Sequence, residues 1–184
     1  NLIVRCRNIK GPIVIVPEKA LYKKKAFNCY FINKQKDVFS LPKTPHVKCK
    51  FIKKEAEMFY NNNSVGKIIE INKDKYHFIV DNKVICSVTL DRNEDYHRYD
   101  IQYNNQTFYM HHPSKKNKIY ILKYDLIKTS KFGIESTKNF RINDISKKSV
   151  LECIKCKNKC LLLAFAEPFN IFIAIFLGIV RYRA

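Results

Sequence analysis

The pattern of apolar and polar positions changes character once along this chain. Up to about residue 160, apolar residues alternate with polar ones over short stretches; from Leu161 to Val180 the sequence LLLAFAEPFNIFIAIFLGIV is apolar almost all the way round. Alternation with a period of two gives a strand one buried face and one wet face. The chain therefore predicts many half-buried strands and one segment able to fill whatever they enclose.

Ile13 to Val16 is a short apolar run ending at Pro17. Phe27 to Ile32 and Val38 to Leu41 read as two strands joined across Asn33 to Asp37. Val47, Cys49 and Phe51 alternate with Lys48 and Lys50, giving one apolar and one basic face; Ala56, Met58 and Tyr60 follow in the same way. Val65 to Ile71 is the next strand, after Asn61, Asn62 and Asn63. Asp81-Asn82 links Tyr76, Phe78 and Val80, expected to face one way, to Val84, Cys86, Val88 and Leu90. Asn104-Asn105 turns Tyr99, Ile101 and Tyr103 into Phe108 and Met110. Asn and Asp tolerate the left-handed backbone that two-residue hairpin turns demand. Ile119 to Ile127 reads as a further strand, with weaker ones around Phe140 and Val150. The expectation is a mainly β chain, about twelve short antiparallel strands in a single domain over residues 1–184. A barrel of that size leaves a wide lumen, and the C-terminal apolar segment is the candidate to occupy it.

That segment can be read in two ways. Twenty residues match the ~30 Å of a bilayer, which makes a C-terminal membrane anchor one alternative. Glu167, Pro168 and Asn170 interrupt it, however, and the unbroken run Ile171 to Val180 makes only about 15 Å of helix. The favoured reading is a last buried strand, Leu161 to Phe165, followed by a core helix over about 168–180. Pro168 would be its first residue and Arg181 and Arg183 would stop it.

The formal charge is +19, from 35 Lys and Arg against 16 Asp and Glu. Such a balance points to an anionic partner, either phospholipid headgroups or nucleic acid. The plainer reading is a solvated lysine surface in a chain rich in Lys, Asn and Ile. Only seven of the basic residues are Arg, which counts against base readout more than against attraction to a membrane surface. The basic clusters that stand out are Lys23, Lys24 and Lys25, and then Lys48, Lys50, Lys53 and Lys54, the first two on one strand face and the others in the adjoining turn. These seven are the candidate anion-binding residues, each worth roughly 1 kcal/mol at an anionic surface. Further lysines cluster at Lys115, Lys116 and Lys118 and at Lys155, Lys157 and Lys159.

Seven cysteines, an odd number scattered through apolar patterns, do not form a secreted disulfide framework. An intracellular setting, cytoplasmic or peripheral to a membrane, is expected. Cys153, Cys156 and Cys160 are the weak metal candidates, with reactive or lipidated thiols and ordinary packing as alternatives. Their spacing matches no standard knuckle, and Cys153 and Cys156 fall on opposite faces of a strand. His111-His112 reads as a strand end. Asp91, Asn93 and Asp95 imitate the start of a calcium loop, but Tyr96 stands where that loop requires glycine, so a turn is expected. Phosphate loops, nucleophile elbows and zinc-helix motifs are absent from a chain with four glycines. No enzyme, cofactor or resident metal is expected.

Three stretches carry a resemblance: FNCYFINKQKDVFSL, EMFYNNNSVGKIIEINKDKYHFIVDN with its SVGKI strand, and the terminal LLLAFAEPFNIFIAIFLGIV. In these the chain is similar to the tubby-like superfamily, in its LURP-one-related and phospholipid-scramblase branch. The resemblance implies a twelve-stranded barrel closed around a hydrophobic C-terminal helix, and membrane association through phosphoinositide-type headgroups or scramblase-like lipid handling. Taken with the absence of catalytic motifs, the expected function is a non-catalytic tubby-like module that associates with anionic lipid. The acidic calcium segment of the scramblase branch is replaced here by AEPFN, and one glutamate does not supply the oxygens calcium needs. Two alternatives stand beside anionic-lipid association: a nucleic-acid-binding barrel, and a C-terminally anchored scramblase-like protein.

Overall fold

A computed structural model describes residues 10–18, 26–92, 97–111, 114–116, 119–128 and 133–184. Among these, twelve antiparallel strands close into a barrel in the order β1-β14-β13-β12-β9-β8-β7-β6-β5-β4-β3-β2, beside a separate two-stranded sheet, β10-β11. The barrel strands are β1 (Ile13–Pro17), β2 (Ala26–Phe31), β3 (Val47–Ile52), β4 (Glu55–Tyr60), β5 (Asn63–Asn72), β6 (Lys75–Val80), β7 (Lys83–Arg92), β8 (His97–Tyr103), β9 (Gln106–His111), β12 (Phe140–Asn143), β13 (Ser149–Lys155) and β14 (Leu161–Phe165). β10 is Ser114–Lys116 and β11 is Ile119–Ile121. Closure pairs β1 with both β2 and β14, leaving no open edge in the barrel.

The hairpins form where Asn and Asp sit at the turns. Asn61 and Asn62 (φ 47° and 65°), Asp81 and Asn82 (49° and 60°), and Asn104 and Asn105 (51° and 57°) all take the left-handed region. Two consecutive positive φ values match the right-handed twist of the flanking strands. These three turns lie at one end of the barrel. The Lys53-Lys54, Lys73-Asp74 and Lys157-Asn158-Lys159 turns lie at the other, as the strand registers require.

The helix α1 (Ile171–Arg183) runs up the lumen, with every residue from Ile171 to Val180 buried. Inward side chains surround it: Tyr60 meets Phe172, Phe78 stacks on Phe176 at 5.6 Å, and Phe27 meets Tyr182. Residues apolar on all sides suit a helix enclosed on all sides. The helix is thus part of the core, which sets aside its use as an anchor. No described helix is long and apolar enough to cross a membrane.

Its ends differ from expectation. Asn170, not Pro168, starts the helix: its Oδ1 accepts hydrogen bonds from the N–H groups of Phe172 and Ile173, both at 3.0 Å. Asn is a far better cap than the residues around it, and Pro168 sits in the preceding turn after a cis peptide bond. Arg181 and Arg183 do not stop the helix but form its last turn.

Other expectations are corrected as well. Val38 to Leu41 is not a strand; Gln35–Phe39 is a 3-10 turn, fixed by Asp37, whose carboxylate accepts from the Lys34 N–H at 3.0 Å. Ile119 to Ile127 is not one strand, since β11 ends at Ile121. Val84 does not face inward: a bulge between Phe78 and Ile79 shifts the register of β7, leaving Val84 52% exposed. Val80 packs only partly against the core.

A second apolar cluster lies outside the barrel wall. Val14, Ile154 and Leu162 on the outer faces of β1, β13 and β14, with Cys156 and Cys160 from the β13–β14 connection, meet Val38 and Ile127. This explains why these strands lack alternation. Both faces are covered.

Candidate functional site

The end of the barrel from which α1 emerges is basic. Lys48 and Lys50 point outward from β3, and Lys53 and Lys54 make the β3–β4 turn; all four are exposed. The turn is possible with lysine because Lys53 takes a left-handed φ of 57°. The neighbouring β5–β6 turn adds Lys73, with Lys75 just beyond it, and the β13–β14 turn adds Lys157 and Lys159; all are exposed. The two hairpins nearest each other are tied together, because the Glu70 N–H donates to the Lys54 carbonyl at 2.8 Å.

Lys23, Lys24 and Lys25 lie outside the described residues. Their flanks are described: the Glu18 N–H donates to the Ala26 carbonyl at 2.9 Å, and Ala26 pairs with Lys50.

The outer face below the rim is mixed. Lys50 lies opposite Glu57, and Glu57 lies opposite Lys67, so one acid stands between two lysines. Lys48 lies opposite Phe59, which is 37% exposed.

At the barrel mouth, inside this ring of lysines, the helix terminus is held by charge. Arg183 Nη2 bonds Glu70 Oε2 at 2.9 Å, with its guanidinium 3.8 Å from the centre of the Phe51 ring. Arg181 lies over the Tyr99 ring at 5.6 Å, and its Nη2 donates to the Thr137 carbonyl. Lys138 Nζ donates to the Arg181 carbonyl at 3.5 Å. Cations suit a helix C-terminus, where the dipole is negative.

The cysteine candidates do not come together. Cys153 faces the lumen, whereas Cys156 and Cys160 belong to the outer cluster. Burial pushes the Cys156 thiol up to about 12, with a smaller contribution from Cys160, and raises Cys153 well above the usual thiol range. Thiols held neutral by burial pack as small hydrophobes. Among the described residues no group of three or more His, Cys, Asp and Glu is placed to hold a metal. His111 closes β9, and burial, helped by Arg141 and Arg98, lowers its pKa. His112 and residues 93–96 of the calcium-loop imitation lie outside the described residues.

No protein-family model and no curated protein matches the chain by sequence. By structure it is similar to an Arabidopsis thaliana protein, AT5G01750, known from an X-ray structure and having the LURP-one/tubby-like fold. The TM-score is 0.51 at 12% identity, over 93% of this chain and 90% of that one. The likeness is one of fold. It agrees with the architecture implied by the tubby-like resemblance and leaves the activity to be argued from the surface.

Residue spacing did not disclose Lys73, Lys75 or the mouth residues Glu70, Arg181 and Arg183 as part of this rim. They are distant in sequence and meet only because the antiparallel register brings alternate turns to one end. The available signal was the turn chemistry itself, since the Asn-rich and Lys-rich turns alternate along β3 to β6.

Proposed function

We propose that this protein is a non-catalytic barrel module that docks its basic rim on an anionic phospholipid surface, with phosphoinositide-type headgroups as the preferred class. The observation that supports this most is the grouping of Lys53, Lys54, Lys73 and Lys75 on two adjoining hairpins, with Lys157 and Lys159 in a turn at the same end; Lys83, Lys147 and Lys148 are exposed at the opposite end, apart from this group. Charges collected on one end add in the field of a flat anionic surface, whereas charges spread over a globule do not. Lys48 and Lys50 extend the basic surface down β3. The likeness to a LURP-one/tubby-like fold agrees with the reading at the level of architecture.

Nucleic acid is the second reading, favoured by the Lys48–Phe59 pair. Against it, Tyr76, Phe78, Tyr99 and Phe108 are turned into the core and are at most 4% exposed, so they offer no stacking surface.

Cosedimentation with phosphatidylcholine vesicles, with and without phosphatidylserine or a phosphoinositide, tests the proposal against a single-stranded oligonucleotide. Binding that needs anionic lipid and weakens with salt is expected. Replacing Lys48, Lys50, Lys53 and Lys54 together by Ala should weaken it at least ~100-fold, at roughly 1 kcal/mol per lysine. Oligonucleotide binding without vesicle binding would reverse the two readings.

A further inference from the structure

Two large aliphatic side chains stand exposed within the basic rim. Ile52, the last residue of β3, is 73% exposed, and Ile71, near the end of β5, is 45% exposed. Both belong to outward faces: Ile52 follows Lys48 and Lys50 at alternate positions, and Ile71 follows Lys67 and Ile69. The two strand ends are fastened by the Glu70 N–H to Lys54 carbonyl bond, which sets Ile71 one residue from the Lys53-Lys54 turn. Around the pair stand Lys53, Lys54, Lys73 and Lys75, all exposed. Glu55, opposite both Ile52 and Ile69, is the exposed acid nearest to them.

Exposed isoleucine lowers solubility unless something covers it. Here the exposed aliphatic surface is two side chains at two adjoining turns, far short of the roughly 20–30 residues a side of a stable protein interface. Two exposed aliphatic residues at adjoining turns with lysines around them match the boundary of an anionic bilayer. There, apolar side chains enter the acyl region and lysines remain among the phosphates.

We infer that Ile52 and Ile71 enter the acyl boundary of an anionic bilayer when the rim docks, fixing the barrel with the C-terminal end of α1 towards the membrane. The inference rests on the lipid-surface reading above and adds depth and orientation to it. Charge then drives the approach, and the two isoleucines set how firmly the barrel is held.

The chain contains no tryptophan, so a single introduced indole reports without background. Three full-length variants serve: Ile52→Trp, Ile71→Trp and, as a control, Val84→Trp, at a 52% exposed position near the Asp81-Asn82 turn of the opposite end. Each is mixed with phosphatidylcholine–phosphatidylserine vesicles carrying lipids brominated on the acyl chain. Blue-shifted, strongly quenched emission is expected from the first two and unchanged emission from the third. Ile52→Asn should weaken vesicle binding about tenfold and leave binding of the soluble inositol-phosphate headgroup unaltered. If all three tryptophan variants cosediment with the vesicles and none is quenched, the insertion is overturned while lipid docking stands. If none cosediments although each unfolds cooperatively, both are overturned.

Discussion

Arg183, in the last turn of α1, and Glu70, on the inward-facing side of β5, join the helix to the barrel wall through a 2.9 Å Nη2–Oε2 bond. Their side chains are 11% and 18% exposed, and the Arg183 guanidinium also covers the Phe51 ring at 3.8 Å. The pair sits between the exposed case, worth at most about 1 kcal/mol, and the fully buried case, where removing one partner costs about 3–5 kcal/mol. Glu70→Ala should therefore cost about 2 kcal/mol in urea unfolding. Adding Arg183→Met should recover part of that loss, because the unpaired cation is removed along with its partner. A double variant no more stable than the additive sum would show that the two residues do not act as a pair.

Glu152 is fully buried on β13, yet it is satisfied four times. Oε1 accepts from the Asp125 N–H at 2.6 Å and from Ser149 Oγ at 2.8 Å; Oε2 accepts from the Leu126 and Ile127 N–H groups at 2.8 and 2.7 Å. One carboxylate thus holds a stretch of irregular backbone against the barrel wall, where Ile127 joins the outer cluster. Glu152→Gln keeps the shape but places an NH₂ group against at least one backbone N–H, leaving that donor without its acceptor. We expect a loss of about 2–3 kcal/mol. Hydrogen exchange should rise first at residues 125–127, ahead of the barrel. Uniform exchange across the chain would contradict this.

These two contacts show where the sequence was legible. Alternation exposed the inward residues of β3, β4, β6, β8 and β9 because one face is wet and the other dry. The uniform apolarity of Ile171 to Val180 disclosed a helix enclosed on all sides. The failures have two causes: tertiary partners far along the chain, and local backbone events that hydrophobic patterning does not encode. Val38 and Ile127 looked like strand residues because they are apolar, but what they cover is the outer face of β1, β13 and β14. Val84 reversed its face through a bulge, which an alternation pattern does not record. Asn170 read as an interruption, when its side chain was the helix cap. For the rim, Lys48, Lys50, Lys53 and Lys54 were legible as a run, while Lys73, Lys157, Arg183 and Glu70 needed the strand register to join them.

The buried thiols should make stability fall in alkali. Burial pushes Cys49 up to about 12, against a smaller lowering by Arg183, and Cys156 also to about 12; Cys29, Cys86 and Cys153 are raised by burial as well. A thiol whose pKa is raised in the folded state is held protonated there. Its contribution is complete below the unfolded value of about 8.5 and is lost as pH climbs from there towards the folded value, at ~1.4 kcal/mol per pH unit for each thiol. Urea unfolding between pH 8 and 10 should show this decline. Cys49→Ala should lower stability at neutral pH but make the alkaline slope shallower by one proton. An unchanged slope would assign the decline to other groups.

At Gly178 the helix comes close to the barrel wall. A Cβ there would lie 2.8 Å from Ile15 Cδ1 and 2.9 Å from Leu163 Cδ2, and both side chains are fully buried. Two effects of Gly178→Ala oppose each other. Alanine is favoured over glycine in a helix by about 1 kcal/mol, whereas forcing a methyl group into a packed core costs about 1–3 kcal/mol. Both blocking atoms are ends of fully buried side chains that must shift to admit the methyl, and we expect the clash to win narrowly, with a net loss of about 1 kcal/mol. Ile15→Val removes the very Cδ1 that blocks the site and alone should cost about 1 kcal/mol as a small cavity. Combined, the new methyl fills the space the lost one leaves on that side, so the double variant should be more stable than the sum of the two losses predicts. Simple additivity would mean that Leu163, not Ile15, sets the limit, and Gly178→Ala with Leu163→Val would then be the pair that couples.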